Sequence, residues 1–187
     1  MPIQSGLRYL HLAYFSHPAE NRLLYRAIRR KRVRRIVEIG VGSVERAVRM
    51  IRLASQTASP IKVRYTGLDR FEMREPEHGE PLSLKRAHRD LRTADAQVKL
   101  VPGNPAQSLI RVANSLTNSD LVLISAEEGE IFTEQAGFYL PRLLHSESLV
   151  FEQERSEPDG TSQWRQRTPL EIESRVEQRR RPRQQAA

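Results

Sequence analysis

The sequence predicts an α/β fold built on a doubly wound, mostly parallel sheet with helices on both faces and a short C-terminal extension. Apolar runs of strand length alternate with longer segments of helical period between residues 33 and 153. The runs close on turn-forming or polar residues at Gly40, Asp69, Gly103 and Ser125. The first run, Arg35-Ile36-Val37-Glu38-Ile39-Gly40-Val41-Gly42-Ser43, passes directly into a glycine turn that opens a helix. Its apolar positions Ile36, Val37 and Ile39 suit a parallel strand covered on both faces, while two glycines let the backbone turn sharply and approach a ligand.

Ahead of that strand, Pro18 to Arg30 has helical period, with Ser16 as the expected N-cap, Pro18 in the first turn, and Leu23, Leu24, Ala27 and Ile28 as an apolar stripe. Arg22, Arg26, Arg29 and Arg30 take its polar face. After the glycine turn, Ser43 to Ala54 forms a helix with Val44, Ala47, Val48, Ile51 and Leu53 apolar, and Ser-Gln-Thr-Ala-Ser-Pro breaks it. A strand over Ile61 to Leu68 ends at Asp69. The charged stretch Met73 to Pro81 leads into a helix from about Leu82 to Thr93. The strand Gln97 to Val101 is closed by Pro102-Gly103-Asn104, and a helix follows from about Pro105 to Leu116. Asp120 to Ser125 is the most apolar strand, and a helix over about Ile131 to Leu144 separates it from the strand Ser148 to Gln153.

Beyond this core the chain turns polar. Ser156-Glu157-Pro158-Asp159-Gly160 is a turn signal, Thr161 to Arg167 offers an antiparallel return strand, and Thr168-Pro169-Leu170-Glu171 has the layout of a capping box for a helix to about Gln178. Residues Arg179 to Ala187 are expected to be disordered. The resulting division is an N-terminal covering region (1–32), a core (33–155) and a C-terminal extension (156–187).

A length of 187 residues suits one domain with an ample core. No apolar run approaches the roughly 20 residues that cross a bilayer, and the N-terminus lacks a signal-peptide core, so a cytoplasmic protein without membrane contact is expected. The absence of cysteine excludes disulfides, thiolate nucleophiles and Cys-ligated metal sites. The net charge of +8 points to polyanions. Its excess gathers in Arg29-Arg30-Lys31-Arg32 with Arg34-Arg35, and in Arg179-Arg180-Arg181 with Arg183. No aromatic residues for base stacking are interleaved there, so the clusters predict weak, nonspecific polyanion binding. The five histidines, His11, His17, His78, His88 and His145, form no metal-binding pattern, and no Gly-x-Ser-x-Gly elbow presents a serine nucleophile. Trp164, the only tryptophan, is expected to anchor the C-terminal segment.

The element Glu38-x-Gly40-x-Gly42, followed by Tyr65-Thr66-Gly67-Leu68-Asp69 at the end of the second strand, resembles the class I S-adenosylmethionine (SAM)-dependent methyltransferases. The resemblance covers about residues 33 to 153. It implies a Rossmann-like sheet of order 3-2-1-4-5, a cleft for S-adenosyl-L-methionine at the strand carboxyl ends, and transfer of a methyl group to an acceptor, expected to be a small molecule. Glu38, Gly40, Gly42 and Ser43 would surround the amino-acid end of the cofactor. Asp69 would accept the two ribose hydroxyls, a task suited to a carboxylate with several acceptor positions. Asn104 would lie near the adenine, and Ser125 would join the same pocket after the fourth strand. A dinucleotide fingerprint would instead want glycine at Glu45, where a charged side chain obstructs helix packing and repels a pyrophosphate.

Two positions depart from the family pattern. Val44 stands where a third glycine is frequent, and Ser125 stands where small methyltransferases commonly carry an aspartate. Metal-dependent O-methyltransferases use carboxylates in that region to hold Mg²⁺. Glu127, Glu128 and Glu130 are expected instead to be the acidic start of the next helix, with no metal site. The resemblance also places substrate-recognition elements ahead of the core, where Tyr9, His11, Tyr14, Phe15 and His17 lie. In-line methyl transfer needs no covalent residue, so no catalytic base is assigned. The alternative is a methyltransferase-fold binding or regulatory module without turnover that contacts RNA through its arginine clusters.

Overall fold

The computed structural model describes residues 3–58, 61–76, 80–155 and 161–180. Six strands form one sheet in the order β3-β2-β1-β4-β5-β6. These are β1 (Arg35–Ile39), β2 (Arg64–Asp69), β3 (Gln97–Pro102), β4 (Leu121–Ile124), β5 (Leu149–Arg155) and β6 (Ser162–Arg167). The first five are parallel in the expected order 3-2-1-4-5, and β6 returns antiparallel to β5. This is a Rossmann-like sheet. The helices that alternate with its strands are α3 (Val44–Ala58), α4 (Leu84–Arg92), α5 (Pro105–Val112) and α6 (Glu134–Tyr139), preceded by α1 (Ile3–Leu10) and α2 (Asn21–Arg30) and followed by α7 (Pro169–Arg180).

The two-residue period of the strands sorts their side chains into two cores. Ile36, Tyr65, Leu121, Leu123 and Phe151 pack with Leu24, Tyr25 and Ile28 of α2 and Ala47, Met50 and Ile51 of α3. Val37, Ile39, Leu68, Val122, Ile124 and Val150 pack with Leu109 of α5, Ala136 of α6 and Ile172 and Val176 of α7. The alternation puts Glu38 on the same face as Ile36, under α3. A small third cluster of Val41, Phe71 and Ala87 lies beside the glycine turn.

Several elements differ locally from the sequence expectation. Ser16 does not cap α2; its hydroxyl donates to the carbonyl of Leu12 at 2.6 Å, serving the helical segment His11–Phe15 that continues α1. The helix expected over Ile131 to Leu144 is broken into a 3-10 turn (Gly129–Phe132), α6, and a second 3-10 turn (Leu140–Leu143). Pro141 is the physical reason for the second break, since it has no N–H to continue the helical ladder. β2 begins at Arg64 rather than Ile61, where its partner β1 begins at Arg35.

Other expectations have direct structural counterparts. Thr168 and Glu171 form a reciprocal capping box, Thr168 N–H to Glu171 Oε2 at 2.7 Å and Glu171 N–H to Thr168 Oγ1 at 3.2 Å. Trp164 is buried and its indole N–H donates to Asn21 Oδ1 at 3.2 Å, fastening β6 to α2. The turn at Ser156–Gly160, His78, and the tail from Arg181 to Ala187 lie outside the described residues. Among the described residues, no helix is long and apolar enough to cross a membrane.

Candidate functional site

Strand order reverses between β1 and β4, and open α/β sheets bind ligands in the crevice beyond the strand carboxyl ends at such a point. The glycine turn lies there. Gly40 has φ of +78°, a left-handed conformation that favours glycine, and a Cβ on it would lie 2.6 Å from Ser125 Cβ and 2.9 Å from Glu128 Cγ. The turn is stitched to both neighbouring strands: Gly40 N–H donates to Leu68 O at 2.8 Å, and Ser125 N–H donates to Ile39 O at 2.9 Å. It therefore forms a rigid wall of the crevice.

A cleft of about 400 Å³ opens at this point, lined by Gly40, Val41, Gly42, Arg46, Asp69, Arg70, Arg74, Glu80, Pro81, Leu82, Ser125, Glu127, Glu128 and Gln153. The structure thus brings Gly40, Gly42, Asp69 and Ser125 together. Asp69 is buried in its wall, and its carboxylate is heavily engaged. Oδ2 accepts from Val41 N–H at 2.6 Å and Oδ1 from Phe71 N–H at 2.6 Å. Arg74 then donates Nε to Oδ1 and Nη2 to Oδ2, both at 2.8 Å. Arg74 also donates to Glu80 O at 3.0 Å and to Val41 O, so it ties the segment after β2 to the glycine turn.

The other sequence-selected residues lie differently. Glu38 is fully buried beneath the turn, where its carboxylate accepts from the Arg46 guanidinium and from Tyr65 Oη, the latter at 2.6 Å. It does not line the cleft. Ser43 lies outside the lining too, its hydroxyl accepting from Arg46 N–H at 3.3 Å in the first turn of α3. Asn104 is the N-cap of α5, accepting from Gln107 N–H at 3.2 Å and donating Nδ2 to Glu130 Oε2 at 2.9 Å. Its amide is thereby committed to helix and loop geometry, away from the cleft lining.

Burial opposes the charge of Arg46, but the adjacent Glu38 carboxylate outweighs it and holds the guanidinium above its ordinary range. Burial, with Glu38 beside it, also pushes the Tyr65 phenol well above its usual value, so the phenol stays protonated and donates. On the far wall, Arg70 pairs with Glu128 at 2.7 Å, both side chains nearly buried, and Arg155 pairs with Glu127, which also receives the Ser125 hydroxyl. Three arginines, Arg46, Arg70 and Arg74, thus border the cleft together with the carboxylates of Asp69, Glu127 and Glu128. The arrangement suits a ligand carrying both charge signs and hydroxyl donors.

The sequence reading overlooked these arginines. For Arg46 a signal existed: a carboxylate inside an apolar strand needs a cationic partner. Arg46 also stands one and two turns before Met50 and Leu53 on the buried stripe of α3. Arg70 and Arg74 carried no such periodic signal, because they sit in an irregular segment.

No protein-family model matches the chain, and no curated protein does. Among solved structures, a crystal structure of a Plasmodium falciparum protein named as a protein-L-isoaspartate O-methyltransferase, in complex with S-adenosyl-L-homocysteine, is similar to it at 18% sequence identity, over 87% of this chain and 85% of that one, with a TM-score of 0.49.

Proposed function

We propose that this chain takes S-adenosyl-L-methionine into the cleft beyond β1, β2 and β4 and works as a methyltransferase on a small-molecule acceptor. One observation carries the reading: the left-handed Gly40 turn stands at the strand-order reversal with Asp69 at the end of the adjoining strand. The lining residues fit such a cofactor in kind. Gly40 and Gly42 keep side chains off the turn. Arg46 and Arg70 supply cations for a carboxylate, Glu127 and Glu128 supply anions for an ammonium group, and Asp69 supplies the acceptor for ribose hydroxyls once Arg74 withdraws. Bound there, the cofactor would supply a methyl group activated on a sulfonium for in-line transfer to the acceptor. The chain's own contribution is to orient the acceptor and exclude water.

A second reading is a binding module that keeps the fold without turnover. It is favoured by the pairing of Asp69, Glu127 and Glu128 with Arg74, Arg155 and Arg70, which engages these cleft carboxylates in ion pairs within the chain. Calorimetric titration with S-adenosyl-L-homocysteine tests the cofactor reading, and methyl transfer from labelled S-adenosyl-L-methionine to a small-molecule library separates the enzyme from the module. Binding with transfer supports the enzyme. Binding without transfer supports the module, and no binding removes the enzyme reading and leaves the module.

A further inference from the structure

We propose that Arg74 is the specificity-determining residue of the cleft: its guanidinium occupies the edge of Asp69 that a vicinal diol would take, and a ligand enters by replacing it there. The proposal rests on the reading of the cleft as a nucleoside-cofactor site. A carboxylate offers about four acceptor positions, two on each oxygen. Val41 and Phe71 amides fill one position on each oxygen, and Arg74 Nε and Nη2 fill the other on each. The inner pair of bonds holds the loop and belongs to the fold. The outer pair is a two-donor, two-oxygen bridge, the same pattern that adjacent ribose hydroxyls present to a carboxylate.

Arg74 is therefore an internal competitor for the ligand. Its side chain is 10% exposed against 4% for Asp69, and its two bonds to the carboxylate are separate from those of the Val41 and Phe71 amides. Its remaining bonds, to Glu80 O and Val41 O, close Pro81 and Leu82 over the turn. Withdrawal of the guanidinium frees that segment as well as the carboxylate edge. A single hydroxyl or a deoxy sugar replaces one donor at most and leaves an oxygen of Asp69 unpaired, so it competes poorly. Ligands with a vicinal diol are selected, and their apparent affinity is lowered by the fraction of molecules in which Arg74 has withdrawn.

The test is calorimetric titration of the wild type, Arg74→Met and Arg74→Lys with adenosine, S-adenosyl-L-homocysteine and 2′,3′-dideoxyadenosine. Amide hydrogen exchange at Leu82, whose N–H donates to Phe71 O at 3.2 Å, is followed in the wild type. Removing the competitor should tighten both diol ligands by about tenfold or more, with the dideoxy ligand unchanged. Arg74→Lys, which cannot bridge both oxygens, should fall between. In the wild type, S-adenosyl-L-homocysteine should speed exchange at Leu82, a readout that survives if the variants fold poorly. Equal affinities in wild type and Arg74→Met overturn the proposal while leaving the cofactor reading in place. Loss of binding in a folded Arg74→Met makes Arg74 a ligand contact and also overturns it, as does an equal gain for the dideoxy ligand or slowed exchange at Leu82. Absence of binding by every protein to every ligand removes the cofactor reading and the proposal together.

Discussion

The carboxylate of Glu38 and the guanidinium of Arg46 form an ion pair beneath the glycine turn, with side chains 0% and 6% exposed. The pair ties β1 to α3 at the point where the chain turns toward the cleft. Tyr65 of β2 donates to the second oxygen of the same carboxylate, and Arg46 lies 5.0 Å from the Trp164 ring centroid. Strand, helix and C-terminal hairpin thus meet at one buried charge.

Removing one partner of this pair leaves an uncompensated buried charge. Arg46→Met should destabilise the protein by about 3–5 kcal/mol, and Glu38→Gln by a similar amount. The double variant should cost clearly less than the sum, because no lone charge remains. Urea unfolding of the four proteins of this cycle measures the coupling; strict additivity would show that the pair is not coupled.

Tyr65 sets an alkaline limit. Its folded pKa lies well above the unfolded value of about 10, so its contribution to stability is fully present below about pH 10 and is lost as pH rises from there through the folded value. Tyr25 is shifted in the same direction, chiefly by burial. Tyrosinate absorbance should therefore show Tyr25 ionising above the range of a free tyrosine and Tyr65 well above it. Tyr65→Phe should flatten the fall in unfolding free energy above pH 10; an unchanged slope would contradict this account.

Gly40→Ala should destabilise the protein by about 1–3 kcal/mol or more, since the residue sits at positive φ and its new Cβ would meet Ser125 and Glu128 below 3.0 Å. Gly129→Ala provides the contrast, because nothing lies within 4 Å of its added Cβ. Thermal unfolding of both variants compares them; equal midpoints would mean that the turn yields without cost.

The exposed residues Arg29, Arg30, Lys31, Arg32 and Arg34 precede β1, at the amino edge of the sheet and opposite the cleft. Polyanions held there should bind weakly and lose about tenfold or more in affinity between 50 and 200 mM salt. S-adenosyl-L-homocysteine should not compete with them. Fluorescence anisotropy with a labelled RNA checks both; tight binding at physiological salt that is lost in a variant neutralising Arg29, Arg30 and Lys31 would instead make RNA the principal partner.

The strand order 3-2-1-4-5 followed from the family resemblance, whereas the parallel sense of β1 to β5, the return of β6, the glycine turn and the Thr168–Glu171 box were legible in the sequence itself. Each rests on information within a few residues: apolar runs, turn residues and capping spacing. The partners of Glu38 and Asp69 were not legible in the same way. With 31 lysines and arginines against 23 acids, every carboxylate has many eligible cations, and composition does not choose among them. The choice falls to the tertiary structure, because strand alternation turns Glu38 inward beneath Arg46 and the segment after β2 folds back to lay Arg74 on Asp69. The contact of Trp164 with Asn21, residues 143 apart, has the same origin: such pairs are selected by which surfaces the assembled sheet and its helices bring together, a property that no local stretch of chain contains.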